Sequence, residues 1–158
     1  MDHVFFLRKA NEVAKKSRKG GNTPFGAILV DENGKILLEQ ENNEITEHKC
    51  TGHAETHLIE RASIAYDKAK LAKCTLYTTV EPCVMCSGAM YWAGIGRVVY
   101  GLEEKELLEM TGSDPQNPTF SLPCREVFAR GQKHIEVIGP FEEVKQEIAE
   151  VHKGYWNK

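Results

Sequence analysis

The sequence has no long hydrophobic run and no N-terminal segment of the signal-peptide kind. No apolar stretch approaches the roughly 18 residues that a transmembrane helix needs, so a membrane protein is not expected. The chain opens Met1-Asp2-His3 and soon reaches Arg8 and Lys9, which is not the basic-then-apolar layout of a secretory leader. We therefore expect a cytoplasmic protein without membrane partners.

An excess of positive charge is also missing. The chain has 20 Lys and Arg against 23 Asp and Glu, a formal net charge of −3. Because nucleic-acid binding depends on clustered basic side chains, a nucleic-acid partner is not expected. Residues 15–19 (KKSRK) are a local exception. This segment is typical of a solvated helix end, where cations suit the C-terminal dipole. An RNA-contacting surface is the alternative that it leaves open.

The hydrophobic pattern predicts one α/β domain over residues 1–158. The length and the 41% hydrophobic and 27% charged content suit a single globular domain. Helical spacing alternates with β-rich runs, and the predicted strands cover residues 25–30, 35–39, 75–80, 97–100 and 134–138. Predicted helices begin near residues 2, 53, 82, 103, 122 and 141. This order predicts a three-layer α/β/α sandwich whose sheet carries an antiparallel hairpin at one edge.

Four residues in two short segments carry the chemistry. His53 and Glu55 stand in the sequence HAE, and Cys83 and Cys86 stand in PCVMC. One imidazole and two thiolates supply three zinc ligands and leave the fourth position for a water, which is typical of a catalytic zinc site. A structural zinc site usually has four protein ligands in two close pairs, and the sequence offers no second pair. We therefore predict one catalytic Zn²⁺ per subunit.

The pattern H-x-E followed by P-C-x-x-C resembles the signature of zinc deaminases, and this resemblance implies hydrolytic deamination as the reaction. Zinc lowers the pKa of a bound water towards about 7, so that zinc-bound hydroxide is the expected nucleophile at neutral pH. Glu55 is the expected base: it takes a proton from the water, passes it to a ring nitrogen and protonates the departing amine. A cyclic amidine would thereby lose ammonia and become a carbonyl compound.

The other cysteines and histidines receive no role in the predicted metal site. Five cysteines are an odd number, which does not suggest a disulfide framework. Cys74 is expected in the core, Cys124 is expected to be structural or a pocket wall, and Cys50 lies three residues before His53. Because the ligand set is already complete, neither Cys50 nor His57 is predicted to bind the metal.

These segments resemble the cytidine/deoxycytidylate deaminase superfamily, most closely its branch of guanine, cytosine and tRNA adenosine deaminases. The matching segments are residues 24–27, 42–43, 53–55, 76–79 and 81–93. The resemblance implies a five-stranded mixed sheet between helices, zinc held by His53, Cys83 and Cys86, and Glu55 as proton shuttle. It also implies a homodimer or a higher assembly.

The resemblance further implies which residues contact a nucleobase or nucleoside. Asn42 matches an asparagine that hydrogen-bonds the base, and the Ala54 backbone N–H is expected to meet a carbonyl oxygen. Phe25 lies in the matching 24–27 segment. Asp114 falls where guanine deaminases carry an acidic residue that touches the purine, and Trp156 resembles the aromatic lids of guanine and cytosine deaminases, so both are expected to contact the base.

Guanine or a related aminopurine is the substrate that these features favour. Cytosine and tRNA adenosine are the alternatives, because residues 125–156 are predicted as helix, strand and helix, as in those members of the branch. A non-enzymatic binding protein of the same fold is the third hypothesis. An intact Glu55 argues against it, since a binder has no need of a proton shuttle.

Overall fold

A computed structural model of the protein, which describes residues 1–112 and 114–156, places five strands in one mixed sheet. The strands are β1 (Gly26–Val30), β2 (Ile36–Glu41), β3 (Thr75–Val80), β4 (Arg97–Leu102) and β5 (Glu136–Ile138). The helices are α1 (His3–Lys19), α2 (Ala54–Ala65), α3 (Lys68–Leu71), α4 (Val84–Ala93), α5 (Glu104–Thr111), α6 (Cys124–Ala129) and α7 (Glu142–His152).

The sheet has the order β2-β1-β3-β4-β5 and confirms the predicted edge hairpin. Strand β1 pairs antiparallel with both β2 and β3, whereas β3, β4 and β5 run parallel. Parallel neighbours require crossover connections, and these are supplied by α4 between β3 and β4 and by α5 and α6 between β4 and β5.

Hydrophobic cores on both faces of the sheet make the molecule three-layered. Along β1, Ala27 and Leu29 belong to one core, and Ile28 and Val30 belong to the other, as the alternation of side chains in a strand requires. The first core includes side chains of α2, α4 and α6, and the second includes those of α1 and α7. The predicted fold class is therefore confirmed.

The start of one helix and the presence of another differ from the prediction. Helix α4 begins at Val84 rather than at Pro82, because Cys83 has extended backbone angles and forms the N-cap. Helix α3 was not expected from the hydrophobic pattern, since a single turn is too short to show a period. It is held by the Asp67 carboxylate, which accepts a hydrogen bond from the Lys70 backbone N–H at 2.8 Å. Within the described ranges, no helix combines the length and apolar composition needed to cross a bilayer.

Gly26 sets the distance between α1 and the sheet. A Cβ atom at this position would lie 2.5 Å from the Ala10 carbonyl oxygen and would also overlap the backbone of Ala14. Backbone atoms of a helix cannot move aside as a flexible side chain can. The close contact of α1 with β1 therefore depends on the missing side chain.

We expect Gly26→Ala to destabilise the protein by about 3 kcal/mol, the upper range for overpacking a core. Gly88→Ala is the matched control, because a Cβ there meets nothing within 4 Å and the residue lies inside α4. Replacing an interior helical glycine should raise the free energy of unfolding by up to about 1 kcal/mol. Urea unfolding curves measure both changes, and equal stability of the two variants would contradict this role of Gly26.

Candidate active site

The starts of α2 and α4 bring the three predicted zinc ligands together. His53 is the N-cap residue of α2, Cys83 is the N-cap of α4, and Cys86 lies in the first turn of α4. Both helices pack on the same face of the sheet, where Leu58 of α2 and Met90 of α4 share one core. The two helix N-termini therefore converge, and their positive ends favour thiolates at this point.

The geometry of the three side chains fits a tetrahedral zinc ion. His53 Nδ1 lies 3.5 Å from Cys83 Sγ and 3.6 Å from Cys86 Sγ. Tetrahedral angles with ordinary zinc bond lengths would separate a nitrogen and a sulfur ligand by about 3.6 Å. The three ligand atoms all lie within 4.8 Å of one another. The chain thus supplies three ligands to Zn²⁺.

Without bound metal, a proton network already favours a thiolate at Cys83. The hydrogen bond from Cys86, followed by that from His53, lowers the pKa of Cys83 to about 4. The hydrogen bond to Cys83 in turn raises the pKa of His53 to about 9. Burial raises the pKa of Cys86, whose sulfur accepts a hydrogen bond from Thr56 Oγ1 at 3.1 Å. A divalent cation would take the place of these shared protons.

Glu44 is a partner of the metal site that the sequence did not reveal. Its Oε1 lies 3.8 Å from His53 Nε2, on the side of the imidazole opposite the two sulfurs. A carboxylate at the second nitrogen of a ligating histidine orients the ring and raises its basicity. Glu44 follows Asn42 by two residues, and no ligand spacing relates it to His53.

Glu55 is positioned for proton transfer. Its side chain is buried in the first turn of α2 and makes a hydrogen bond with Thr78. Burial, together with the negative charge of Cys83, raises the pKa of Glu55 to about 7 in the absence of metal. A pKa close to neutrality suits a group that both takes and gives a proton.

A cavity of about 310 Å³ opens beside these residues. Three of the predicted contact residues border it, namely Phe25, Asn42 and Ala54, together with the predicted base Glu55. The side-chain oxygen of Asn42 (Oδ1) accepts a hydrogen bond from the Glu44 backbone N–H at 2.9 Å. The Asn42 side chain can therefore offer its amide nitrogen to a ligand as a donor. Ala54 is the first residue of α2, where backbone N–H groups have no partner within the helix.

The cavity is acidic. Four glutamates line it, Glu44, Glu55, Glu81 and Glu104, and no Lys or Arg is found among its described lining residues. Burial raises the pKa of Glu104 to about 8, with a further contribution from the charge of Cys83. Such a wall favours neutral ligands and disfavours anionic groups such as phosphates.

Asp114 and Trp156 lie elsewhere, in contrast to the expectation of direct substrate contact. Neither is among the described residues that line the cavity. The Asp114 carboxylate accepts the Gln116 backbone N–H at 2.9 Å and so shapes its own loop. The Trp156 indole is buried behind Phe25, stacks on His152 and donates its N–H to His152 Nδ1 at 3.0 Å.

The C-terminal tail still reaches the cavity through a neighbouring loop. Tyr155 donates its hydroxyl to Gln116 Oε1 at 3.1 Å, and Gln116 lines the cavity. Arg18 holds the end of α7 by donating to the carbonyl oxygens of Val151 and Lys153, both at 2.7 Å. Arg18 of the basic 15–19 segment therefore has a structural role in holding α7.

The remaining cysteines and His57 stand outside the ligand cluster. Cys50 is exposed and borders the cavity, whereas Cys74 and Cys124 are buried. The Cys124 backbone N–H donates to Glu81 Oε2 at 2.9 Å. His57 Nδ1 lies 2.5 Å from the Asn43 amide nitrogen, in a hydrogen bond rather than in the metal set.

We expect Glu44→Gln to weaken zinc binding about 10-fold or more, because the partner of His53 loses its charge. Competition with a chromophoric chelator measures the affinity. Glu39→Gln serves as the control, since Glu39 is exposed on β2 and makes the same change of charge away from the site. Equal zinc affinity in the Glu44 variant and the unmodified protein would remove Glu44 from the metal site.

The burial of His152 leads us to expect that the protein loses stability at acidic pH. Burial lowers the pKa of His152 to about 4, below the 6.5 of an exposed histidine. The unfolded chain therefore takes up this proton first, and the stability present above pH 6.5 falls as the pH drops towards 4. The loss attributable to His152 is about 3 kcal/mol. Urea unfolding of chelator-treated protein between pH 7 and pH 4 should show a shallower decline for His152→Gln, and parallel declines would contradict the assignment.

Comparison with known proteins agrees with this site. A family model described as the cytidine and deoxycytidylate deaminase zinc-binding region matches residues 1–102. A protein named "Probable cytosine deaminase" from Schizosaccharomyces pombe is 37% identical over 152 residues, covering 96% of this chain and 91% of that protein. The guanine deaminase of Bacillus subtilis is 39% identical over 110 residues, covering 69% of this chain and 70% of that enzyme.

A solved structure from work on tRNA:A34 deaminases and wobble-position A-to-I editing also shares the fold. It superposes with a TM-score of 0.70 at 25% identity, covering 94% of this chain and 99% of that one. The predicted branch of guanine, cytosine and tRNA adenosine deaminases is confirmed by these relatives. With its family match and its converging His53, Cys83 and Cys86, the chain belongs to the zinc-binding cytidine and deoxycytidylate deaminase family.

Proposed function

We propose that this protein is a zinc-dependent hydrolytic deaminase of a neutral, amino-substituted nucleobase, acting as a single domain over the whole chain. The observation that carries the proposal is the cavity itself. It places the buried carboxyl group of Glu55 beside the three metal ligands, within walls that hold four glutamates and, among the described lining residues, no basic side chain.

The residues divide the chemistry between them. When bound, zinc supplies a Lewis acid that lowers the pKa of a water in its open fourth position. Glu55 would accept one proton from that water and deliver it to the ring nitrogen, then take the second proton from the same oxygen, now bonded to carbon, and pass it to the departing amine. The carbon gains a C–O bond and loses its C–N bond, so water is consumed and ammonia is released. Asn42 and the Ala54 N–H are donors suited to hold a carbonyl oxygen of the base.

The acidic wall supports a free base or nucleoside rather than a nucleotide or tRNA. Phosphate recognition uses Lys, Arg or clusters of backbone N–H groups. A phosphate near Glu44 would meet like charge in a partly desolvated space that offers it no basic side chain among the described lining residues. The tRNA substrate of some relatives is therefore not part of the proposal.

Cytosine is the first candidate base and guanine the second. Asp114, which favoured guanine from the sequence, is not among the described lining residues. The relative called a probable cytosine deaminase aligns along nearly the whole chain, whereas the guanine deaminase covers 69% of it. The full-length similarity includes the α6, β5 and α7 region and gives cytosine its advantage.

A substrate panel tests the proposal. We expect the zinc-loaded protein to release ammonia from cytosine or guanine, and to act far more slowly on deoxycytidine monophosphate and on tRNA. Ammonia is followed by a coupled assay, and inosine in tRNA by nucleoside analysis. Release of no ammonia from any base or nucleoside would contradict the proposed function, and preference for the nucleotide or tRNA would contradict the neutral substrate.

The Glu55→Gln variant tests the proposed role of Glu55 in proton transfer. This variant should retain zinc, because Glu55 is not a ligand, and its kcat should fall by about 10²- to 10⁴-fold, the usual share of a general acid–base. Zinc content is measured by atomic emission alongside turnover. Unchanged turnover would show that the proton transfer does not pass through Glu55.

The homodimer and the cytoplasmic location expected from the sequence stay predictions. Trp92 on α4 and Ile64 on α2 are 74% and 83% exposed, and such apolar exposure is compatible with a second copy of the chain covering this side.

A further inference from the structure

The hydroxyl group of Thr56 donates a hydrogen bond to one sulfur of the metal site. Thr56 follows Glu55 in the first turn of α2, and its Oγ1 lies 3.1 Å from Cys86 Sγ on α4. A threonine in a helix commonly bonds a carbonyl oxygen three or four residues earlier in its own helix. The Thr56 hydroxyl instead reaches the neighbouring helix. The contact therefore joins α2 to α4 at a metal ligand.

Cys86 is the more deeply buried of the two cysteine ligands. Its side chain is fully buried, whereas Cys83 is half-buried. An ionised sulfur that has lost its water needs hydrogen-bond donors from the protein. The Cys83 sulfur interacts with the Cys86 backbone N–H in the first turn of α4. Among the described side chains other than the metal ligands, Thr56 is the one that donates to Cys86 Sγ.

The surroundings of the two sulfurs offer neutral donors rather than cations. The adjoining cavity holds four glutamates and, among its described lining residues, no Lys or Arg. A hydrogen bond to a thiolate withdraws electron density from the sulfur, and partners of this kind tune a bound metal. A sulfur that gives less charge to the metal leaves it a stronger Lewis acid. The Thr56 hydroxyl can have this effect without adding a charge to the site.

We propose that Thr56 is a positioning residue of the metal centre, whose hydroxyl limits electron donation by the Cys86 thiolate and keeps the bound zinc electrophilic. The inference rests on the proposed function, in which zinc acts as a Lewis acid. Thr56 is not among the described residues that line the cavity, so it acts through Cys86 rather than on a substrate.

Cobalt substitution reports on the sulfur directly. Co²⁺ bound to thiolates gives a near-ultraviolet charge-transfer band, whose energy falls when the sulfur becomes a better electron donor. Thr56→Val keeps nearly the same shape and removes the donor, so we expect its band to move to longer wavelength. Thr56→Ser keeps the hydroxyl and should leave the band at its position in the unmodified protein.

Thr79→Val is the matched control for these spectra. Thr79 is buried in β3, and its Oγ1 has no hydrogen-bond partner within the described part of the chain. The same exchange of hydroxyl for methyl at this position should leave the cobalt band unchanged. A variant that only weakens the fold would lower the free energy of unfolding without moving the band.

Turnover of the zinc-loaded protein completes the test. On the base that the unmodified protein deaminates, Thr56→Val should lower kcat about 10-fold with KM nearly unchanged, as loss of an outer partner of a metal ligand does. Thr56→Ser should restore kcat, and Thr79→Val should match the unmodified protein.

The outcomes separate this inference from the proposed function. An unmoved cobalt band in Thr56→Val, or an equal shift in Thr56→Ser, would overturn the role of Thr56 and leave the proposed deaminase intact. Loss of cobalt binding in Thr56→Val alone would support the need for the hydroxyl at the buried thiolate, whereas loss in both variants would contradict it. Absence of turnover in the unmodified protein across the whole substrate panel would overturn the proposed function, while the cobalt band would still report on Thr56.

Discussion

The site depends on two helices that begin at the same point in space. His53 precedes α2 and Cys83 precedes α4, about 30 residues apart in the chain. Local sequence cannot hold these groups together, since closing such a loop costs conformational entropy. The packing of Leu58 and Met90 on one face of the sheet supplies the compensating free energy. The metal ligands are therefore a product of the hydrophobic core as much as of their own motif.

That convergence concentrates negative charge, which shapes what the cavity can accept. Cys83 favours the thiolate form, and Glu55 and Glu104 both have raised pKa values in its neighbourhood. A bound zinc ion would offset part of this negative charge, because its two positive charges would balance the thiolates of Cys83 and Cys86. No basic side chain lines the described part of the cavity wall, so the remaining charge of the wall favours the neutral substrate that we propose. In the proposed function, the same group of charges accounts for both the reaction class and the neutral substrate.

The sequence predicted the parts of the site that obey short-range rules. His53, Cys83 and Cys86 have fixed spacing, and the strands have clear β-rich patterns, so the metal ligands and the sheet are confirmed, whereas the catalytic role of Glu55 stays a prediction. Glu44 and Glu104 were missed because their positions follow from loop conformation and from the start of α5, which no spacing rule encodes. Trp156 was expected to contact the base because aromatic side chains are suited to cover one. Its hydrogen bond to His152 instead holds the indole against His152.

The hydrogen bond between Tyr155 and Gln116 joins the C-terminal tail to the wall of the cavity. The loop that carries Gln116 gains this hydrogen bond only when the end of α7 has docked against Arg18. The wall of the cavity around Gln116 therefore depends on contacts of α7 and the tail, whereas the metal ligands depend on the core beneath α2 and α4.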